Sequence, residues 1–381
     1  MSLLDRHRHL ARGEPSPSDR LLEPLLAPLA WLYGSGVALR SAAYDARILP
    51  SRRAPIWTVS VGGLTSGGTG KTPLAAEIAS WLRAWGGRPL LVAHGYGARP
   101  RFRGARLIGS SGGGEEPEWR SVGEEALLLA RLAPGVPVAV ARPREAALSA
   151  ARAEGFDPDA LVLDGAFQYR RLAADFSIVS VDGSRQPGQG RLLPRGDLRE
   201  PWPALSRSNF IVLYRAERCG DPEGWKRFLA RAAPEIPVAR VANRWGRPYR
   251  LCSREPLAWS EAKTMRWGVW LALADPRPFL SELASRGIDP VKVACPRDHA
   301  PFTGDAIERF ARTPIDALLV SEKDAIKIEA HASRLPAVFV VPAEHEWLEG
   351  RSVLEERLRA SRLRREAHGP GNGRSGAPAV R

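Results

Sequence analysis

The sequence predicts an α/β protein of two α/β/α units, and three observations carry that prediction. Short apolar runs recur along the chain with helical patterns between them, the signature of parallel strands joined by crossover helices. One of the first of these runs leads straight into a glycine-rich loop and then an amphipathic helix. With 381 residues, 44% hydrophobic and 26% charged, the chain is long enough for two cores and too apolar to stay disordered.

Taken in order, the first element is 21–39, LLEPLLAPLAWLYGSGVAL, interrupted by Glu23, Pro24, Pro28, Gly34, Ser35 and Gly36. It is too short and too broken to span a bilayer. Trp31 and Tyr33 among aliphatic residues, followed by Arg40, Arg47, Arg52 and Arg53, suit an N-terminal interfacial helix lying on a membrane. A helix packed on its own domain fits the same residues. Strands follow at 56–61, 90–93, 138–141, 161–164, 178–182 and 210–213, with helical patterns at 73–85, 124–132 and 144–154. A second series places strands at 238–241, 267–273, 291–294, 317–320 and 337–341, with helices at 277–286 and 305–311. Pro201, Pro203 and Pro222 put the boundary within 200–225. The expected division is a membrane-associating segment at 1–50, a nucleotide-binding unit at 51–210, a second α/β unit at 211–345, and a C-terminal helix with a basic tail at 346–381. Residues 361–381, rich in Arg, Gly and Pro, are expected to lack fixed structure.

Charge narrows the partners. Lys+Arg is 56 against Asp+Glu 42, a formal net charge of +14, which favours phosphates, nucleic acid or an acidic membrane surface. No RNA- or DNA-binding motif supports nucleic acid. Cys219, Cys252 and Cys295 are widely separated, which argues against a disulfide framework or a structural zinc site and for a reducing compartment. The first twenty residues are polar and Arg-rich, and no cleavable signal peptide is expected from that pattern.

The chemical signal is Gly62-Gly63-Leu64-Thr65-Ser66-Gly67-Gly68-Thr69-Gly70-Lys71-Thr72, between an apolar strand and a helix. Its pattern predicts a P-loop NTPase-like first sheet. Glycines let backbone N–H groups turn inward around phosphate oxygens, and the helix N-terminus adds partial positive charge. Lys71 suits the β- and γ-phosphates, the Thr72 hydroxyl suits Mg²⁺, and Pro73 fits the first helical turn. The usual spacing wants glycine at position 65, where this chain has threonine; Gly67 and Gly68 must supply the flexibility. Asp164 ends the apolar strand 160–163, the expected place of a Walker-B carboxylate. Asp182 ends another strand and is the second choice.

These motifs together resemble the tetraacyldisaccharide 4′-kinase family, the lipid A 4′-kinases of Gram-negative bacteria. The resemblance runs collinearly from about Leu25 to about Pro342. It is carried by the loop through Pro73, by Trp31-Leu32-Tyr33-Gly34, His94-Gly95-Tyr96-Gly97 and Val122-Gly123-Glu124-Glu125, and by the segments 163–172, 190–200, Arg297-Asp298-His299 and Ser321-Glu322-Lys323-Asp324-Ala325-Ile326-Lys327. It implies two α/β domains with the active site in the cleft between them. It also implies ATP- and Mg²⁺-dependent phosphorylation of the 4′-hydroxyl of a lipid A disaccharide 1-phosphate, by a peripheral protein on the cytoplasmic face of the inner membrane. The implied roles are ATP binding by Thr65, Ser66, Gly67, Gly68, Thr69, Gly70, Lys71 and Thr72, and catalysis by Glu124, His299 and Asp164. Arg144, Arg199, Glu200 and Tyr169 would face the substrate, and Thr72, Asp164 and Glu200 the metal.

Four departures fall inside that pattern. The family's catalytic Asp is Glu124, its second paired Asp is Gly165, a family His is Tyr169, and an Ala-Gly-Ile-Gly turn is Ala272-Leu273-Ala274-Asp275. They leave a second class of function open, a catalytically weak or silent ATP-binding paralogue with a regulatory or scaffold role at the membrane. A kinase for a different glycolipid is a further option.

Overall fold

The computed structural model describes residues 17–98, 103–108, 119–298 and 300–368. In chain order the main elements are α1 (Pro17–Asp45), β1 (Trp57–Gly62), α2 (Lys71–Ala84), β2 (Pro89–Ala93), β3 (Gly104–Ile108), α3 (Glu124–Leu132), β4 (Val138–Arg142), α4 (Ala146–Ala153), β5 (Ala160–Asp164), β6 (Phe176–Asp182), β7 (Phe210–Tyr214), α5 (Pro222–Ala232) and β8 (Val238–Trp245). There follow β9 (Tyr249–Arg250), β10 (Trp267–Trp270), α6 (Arg277–Ser285), β11 (Lys292–Ala294), α7 (Gly304–Ala311), β12 (Ala317–Ser321), α8 (Glu322–Ile328), β13 (Ala337–Val341), β14 (Ala343–Glu349) and α9 (Arg351–Ala367).

Among the described residues these build a nine-stranded sheet, β14-β8-β7-β6-β1-β5-β2-β4-β3, and a five-stranded sheet, β9-β13-β12-β10-β11. All pairings are parallel except at edges, where β3, β14 and β9 run antiparallel to their neighbours. The fold is mixed α/β with parallel-dominated sheets. The sequence reason is visible in β1 and β5, which read WTVSVG and ALVLD and are buried at every position. A parallel strand covered by helices on both faces shows no polar alternation. Trp57, Leu74, Ile78, Leu82 and Val162 pack on one face of the first sheet, and Leu90, Leu161 and Leu163 on the other.

Sheet membership differs from the expected division at 210. β7 and β8 both belong to the first sheet, and β14 returns to it beside β8, with Arg244 opposite Glu344 and Trp245 opposite Ala343. The second sheet is thus strung between two adjacent antiparallel strands. The prolines read as a boundary are punctuation inside the first sheet's unit: Pro203 lies in the 3-10 turn Trp202–Arg207, capped by Pro201, and Pro222 opens α5.

Two segments extend beyond their expected bounds. Helix α1 runs through both Pro24 and Pro28 to Asp45, and α9 continues past residue 361 to Ala367. Helix α9 is ordered because Leu354 and Leu358 are fully buried. Trp57 Nε1 donates to Ser361 Oγ at 3.1 Å, Arg362 pairs with Asp159 at 3.0 Å, and Arg365 donates to the Ala54 carbonyl at 2.7 Å. The rest of the expected tail, 369–381, lies outside the described residues. Helix α1 is tied to the first sheet's unit by Tyr33 Oη donating to the Arg199 carbonyl at 2.9 Å and by Arg170 pairing with Asp45 at 2.6 Å. Its Leu25, Leu29, Trp31, Leu32 and Leu39 are exposed. No described helix is long and apolar enough to cross a membrane.

Candidate active site

The glycine-rich loop joins β1 to α2 at the centre of the first sheet. Its first half is extended, not coiled. Thr65 bridges Leu198, the Ser66 N–H donates to the Asp197 carbonyl at 2.8 Å, and the Arg199 N–H donates to the Leu64 carbonyl at 2.7 Å. Position 65 has no positive φ, so threonine serves where the usual pattern has glycine. The left-handed turns come later, at Gly67 (φ 123°) and Gly70 (φ 69°). At Gly70 a β-carbon would also stand 2.8 Å from the Tyr214 ring, so glycine is required twice over.

Lys71 folds back over the loop, its Nζ donating to the Gly67 carbonyl at 2.9 Å and to Thr69 Oγ1 at 3.0 Å. Burial, and then the Arg199 guanidinium, bring its pKa down to about 8, against the pull of Asp164, Glu125 and Asp182. Thr72 Oγ1 donates to Asp164 Oδ2 at 3.0 Å. Asp164 is buried at the end of β5, and its Oδ1 has no protein partner. Burial, and then the nearby Glu125 carboxylate, push its pKa up to about 6, although Thr72, Arg144 and Lys71 favour the charged form. A buried, half-partnered carboxylate beside a hydroxyl is a donor set that a divalent cation satisfies. Among the described residues no group of three or more His, Cys, Asp or Glu is arranged to hold a metal.

Arg144 is buried beside this pair. Its Nη2 donates to the Gly165 carbonyl at 3.2 Å and its guanidinium lies 5.4 Å from the Tyr169 ring centroid, while Nε and Nη1 have no partner. Burial lowers its pKa, offset by Asp164, Tyr169 and Glu125. Two buried guanidinium nitrogens without acceptors make an anion site. Tyr169 Oη donates to Glu145 Oε2 at 2.6 Å.

Glu124 is buried at the first turn of α3 and faces the second sheet's unit. Its Oε2 is 2.7 Å from Lys327 Nζ and its Oε1 is 3.3 Å from Lys323 Nζ, both on α8. Lys323 also pairs with Asp298 at 2.6 Å. His299, named from the sequence as Glu124's partner, lies outside the described residues. Glu200 is also buried, but its carboxylate is ion-paired with Arg207, which lies 4.6 Å over the Phe167 ring. The structure therefore brings Thr72, Asp164, Lys71 and Arg144 together, sets Glu124 at the contact with α8, and places Glu200 against Arg207. Arg199 contributes its charge to the field at Lys71. Sequence reasoning missed Glu125, which acts on Asp164, Lys71 and Arg144 at once. Its signal was the doubled Glu after Gly123.

Comparison with known proteins bears on the whole chain. The family model described as LpxK, tetraacyldisaccharide-1-P 4′-kinase, matches residues 22–362. A tetraacyldisaccharide 4′-kinase of Anaeromyxobacter sp. (strain K) is 36% identical, over 92% of this chain and 93% of its own. One from Geobacter sulfurreducens is 33% identical, over 90% and 95%. A crystal structure of LpxK from Aquifex aeolicus in complex with ATP superposes with a TM-score of 0.70 at 24% identity, covering 90% of this chain and 99% of that one, which establishes the shared fold. The extent and identity of these matches assign the chain to the tetraacyldisaccharide-1-P 4′-kinase family, kinases of lipid A biosynthesis.

Proposed function

We propose that the chain transfers the γ-phosphoryl group of ATP, with Mg²⁺, to the 4′-hydroxyl of a tetraacyldisaccharide 1-phosphate at the cytoplasmic face of the inner membrane. One observation carries the nucleotide half of this reading: the Thr72–Asp164 hydrogen bond at the mouth of the loop, in a chain of this family. Residues 65–72 form the phosphate-binding loop of a P-loop NTPase-like sheet, with Lys71 as its cation. Thr72 and Asp164 would hold Mg²⁺, and the orphaned Asp164 Oδ1 supports that fit. When bound, the ion would neutralise charge on the phosphate oxygens. Lys71, charged below about pH 8, binds the triphosphate and holds its terminal group in line with the acceptor.

The acceptor side is built from Arg144, Arg199 and Tyr169. The partnerless nitrogens of Arg144 suit an anionic oxygen, and its stacking on Tyr169 fixes the fork. Glu124 acts with His299 on the acceptor hydroxyl proton, with Lys323 and Lys327 fixing the carboxylate's orientation. Glu200, held by Arg207, keeps the segment carrying Arg199 in place. The second α/β unit docks through α8 on α3 and closes the cleft. Helix α1 lies in the membrane interface, its exposed Leu25, Leu29, Trp31, Leu32 and Leu39 in the acyl boundary and its other face tied to Arg199 through Tyr33.

The test is phosphate transfer from ATP to the disaccharide lipid by the wild type, Lys71→Ala and Glu124→Gln. Transfer by the wild type, lost in Lys71→Ala and reduced by at least about a hundredfold in Glu124→Gln, is the expected result. Nucleotide binding by the wild type with no transfer overturns the proposal.

A further inference from the structure

We propose that Arg215 is a ligand for the terminal phosphates of the nucleotide, carried to the rim of the glycine-rich loop by the strained end of β7. The proposal deepens the phosphate-loop reading and rests on it. Strand β7 ends at Tyr214, and Arg215 follows in the left-handed region, at φ 58° and ψ 39°. That conformation is strained for a residue with a β-carbon. Glycine would fit there at no steric cost, yet the position carries an arginine.

Tyr214 and Arg215 serve two parts of the same loop. The Tyr214 ring lies against Gly70, and Arg215 Nη2 is 3.8 Å from where a β-carbon would stand on Gly68. Arg215 Nη1 is 3.1 Å from Asp182 Oδ2 at the end of β6, while Asp182 Oδ1 accepts from the Ser184 N–H at 3.1 Å and from Ser184 Oγ at 2.7 Å. In sheet order Arg215 and Asp182 stand on the β6–β7 side of β1, and Asp164 stands on the β5 side. The field of Asp182 reaches Lys71, so the cation paired with Asp182 and the lysine address one region. A triphosphate held by the loop and Lys71 has Arg215 within reach on the flank opposite the Thr72–Asp164 pair. Its planar fork suits phosphate oxygens, and a guanidinium on the terminal group stabilises the charge that develops during transfer. Asp182 keeps the fork aimed at the loop.

The experiment measures binding of Mg²⁺–ADP and of a non-hydrolysable Mg²⁺–ATP analogue to the full chain by calorimetry. It compares wild type, Arg215→Gly, Arg215→Lys and Lys71→Ala. Glycine removes the side chain while relieving the backbone, and the thermal midpoint reports folding. A double variant, Arg215→Gly with Asp182→Asn, also removes the carboxylate that loses its Arg215 partner. The expected result is a loss of about tenfold or more for the triphosphate analogue and little change for ADP, at an undiminished midpoint, in the single and the double variant. Arg215→Lys should recover part of the loss. If Arg215→Gly keeps the wild-type ratio of the two affinities while Lys71→Ala loses nucleotide, Arg215 is not a phosphate ligand. If the wild type binds neither nucleotide, the phosphate-loop reading fails and takes this proposal with it.

Discussion

Asp164→Asn should make the unliganded protein more stable while destroying its chemistry. The carboxyl ionises near pH 6 in the fold, against an ordinary value of 3.8, chiefly because it is buried and then because Glu125 is near. Holding it charged at neutral pH costs up to about 3 kcal/mol, at about 1.4 kcal/mol per pH unit, and relaxation reduces the effect to roughly 1–3 kcal/mol. Asparagine has nearly the same shape, carries no charge and still accepts from Thr72. The sign follows from proton binding. Between pH 3.8 and about 6 the folded chain binds more protons than the unfolded one, so wild-type stability falls as pH rises through that window. The advantage of the variant is therefore full above pH 6, about half as large at pH 5, and gone below the unfolded value.

The assay is thermal or denaturant unfolding of both proteins at pH 7.5 and pH 5, with and without Mg²⁺–ATP. Wild type should gain more from the nucleotide than the variant, because ligand stabilisation follows affinity for the folded state. An Asn variant less stable than wild type at pH 7.5 without ligand would refute the reasoning, as would an advantage that does not shrink at pH 5.

Three further outcomes are expected. Nucleotide affinity should fall as pH rises through about 8, where Lys71 loses its proton, while the unliganded fold gains stability from there to the unfolded lysine value near 10.5; calorimetry at pH 7 and pH 9 reads the first, and equal affinities would contradict it. Leu358→Ala, in the fully buried stripe of α9, should cost about 2–5 kcal/mol in denaturant unfolding, and a loss under about 0.5 kcal/mol would show that α9 is not part of the core. Trp31→Glu with Leu32→Glu, at residues 75% and 64% exposed, should release the protein from vesicles of anionic lipid without lowering the thermal midpoint; unchanged sedimentation with vesicles counts against an interfacial α1.

What could be read in advance followed burial. β1, β2, β4, β5, β6 and β7 are apolar runs because both faces are covered, and an apolar run is legible without context. Strand β14, AEHEWLE, is an edge strand with four glutamate or histidine side chains, and nothing local marks it as part of a sheet begun nearly three hundred residues earlier. Its place comes from Glu77 on α2, which holds His345 at 3.0 Å and Trp347 at 2.7 Å. The last turns of α9, from 361 on, looked like tail because their Arg-rich sequence does not show that Ser361, Arg362 and Arg365 meet Trp57, Asp159 and Ala54 in three dimensions. The same divide runs through the site. The loop and Asp164 form a motif with fixed spacing, whereas Glu125 and Arg215 matter because of where a helix starts and a strand ends.

The doubled glutamate after Gly123 bears on the departures from the family pattern. Gly123 has φ 93°, and a β-carbon there would stand 2.7 Å from the Tyr96 carbonyl oxygen, so the start of α3 is fixed against 95–96. From that fixed start Glu124 pairs with Lys323 and Lys327 of α8, and Glu125 acts on Asp164 and Arg144. At Gly165, where the resemblance leads one to expect a second Asp, a β-carbon would lie 4.0 Å from Arg144 Nη2. That nitrogen already donates to the Gly165 carbonyl, whereas Nε and Nη1 of Arg144 have no acceptor. Besides burial, it is the charge of Glu125, at a helix start, that raises the Asp164 pKa. Glu124 and Glu125 share one turn of helix, so the ion pairs with α8 and the charge that acts on Asp164 are both set by the same helix start.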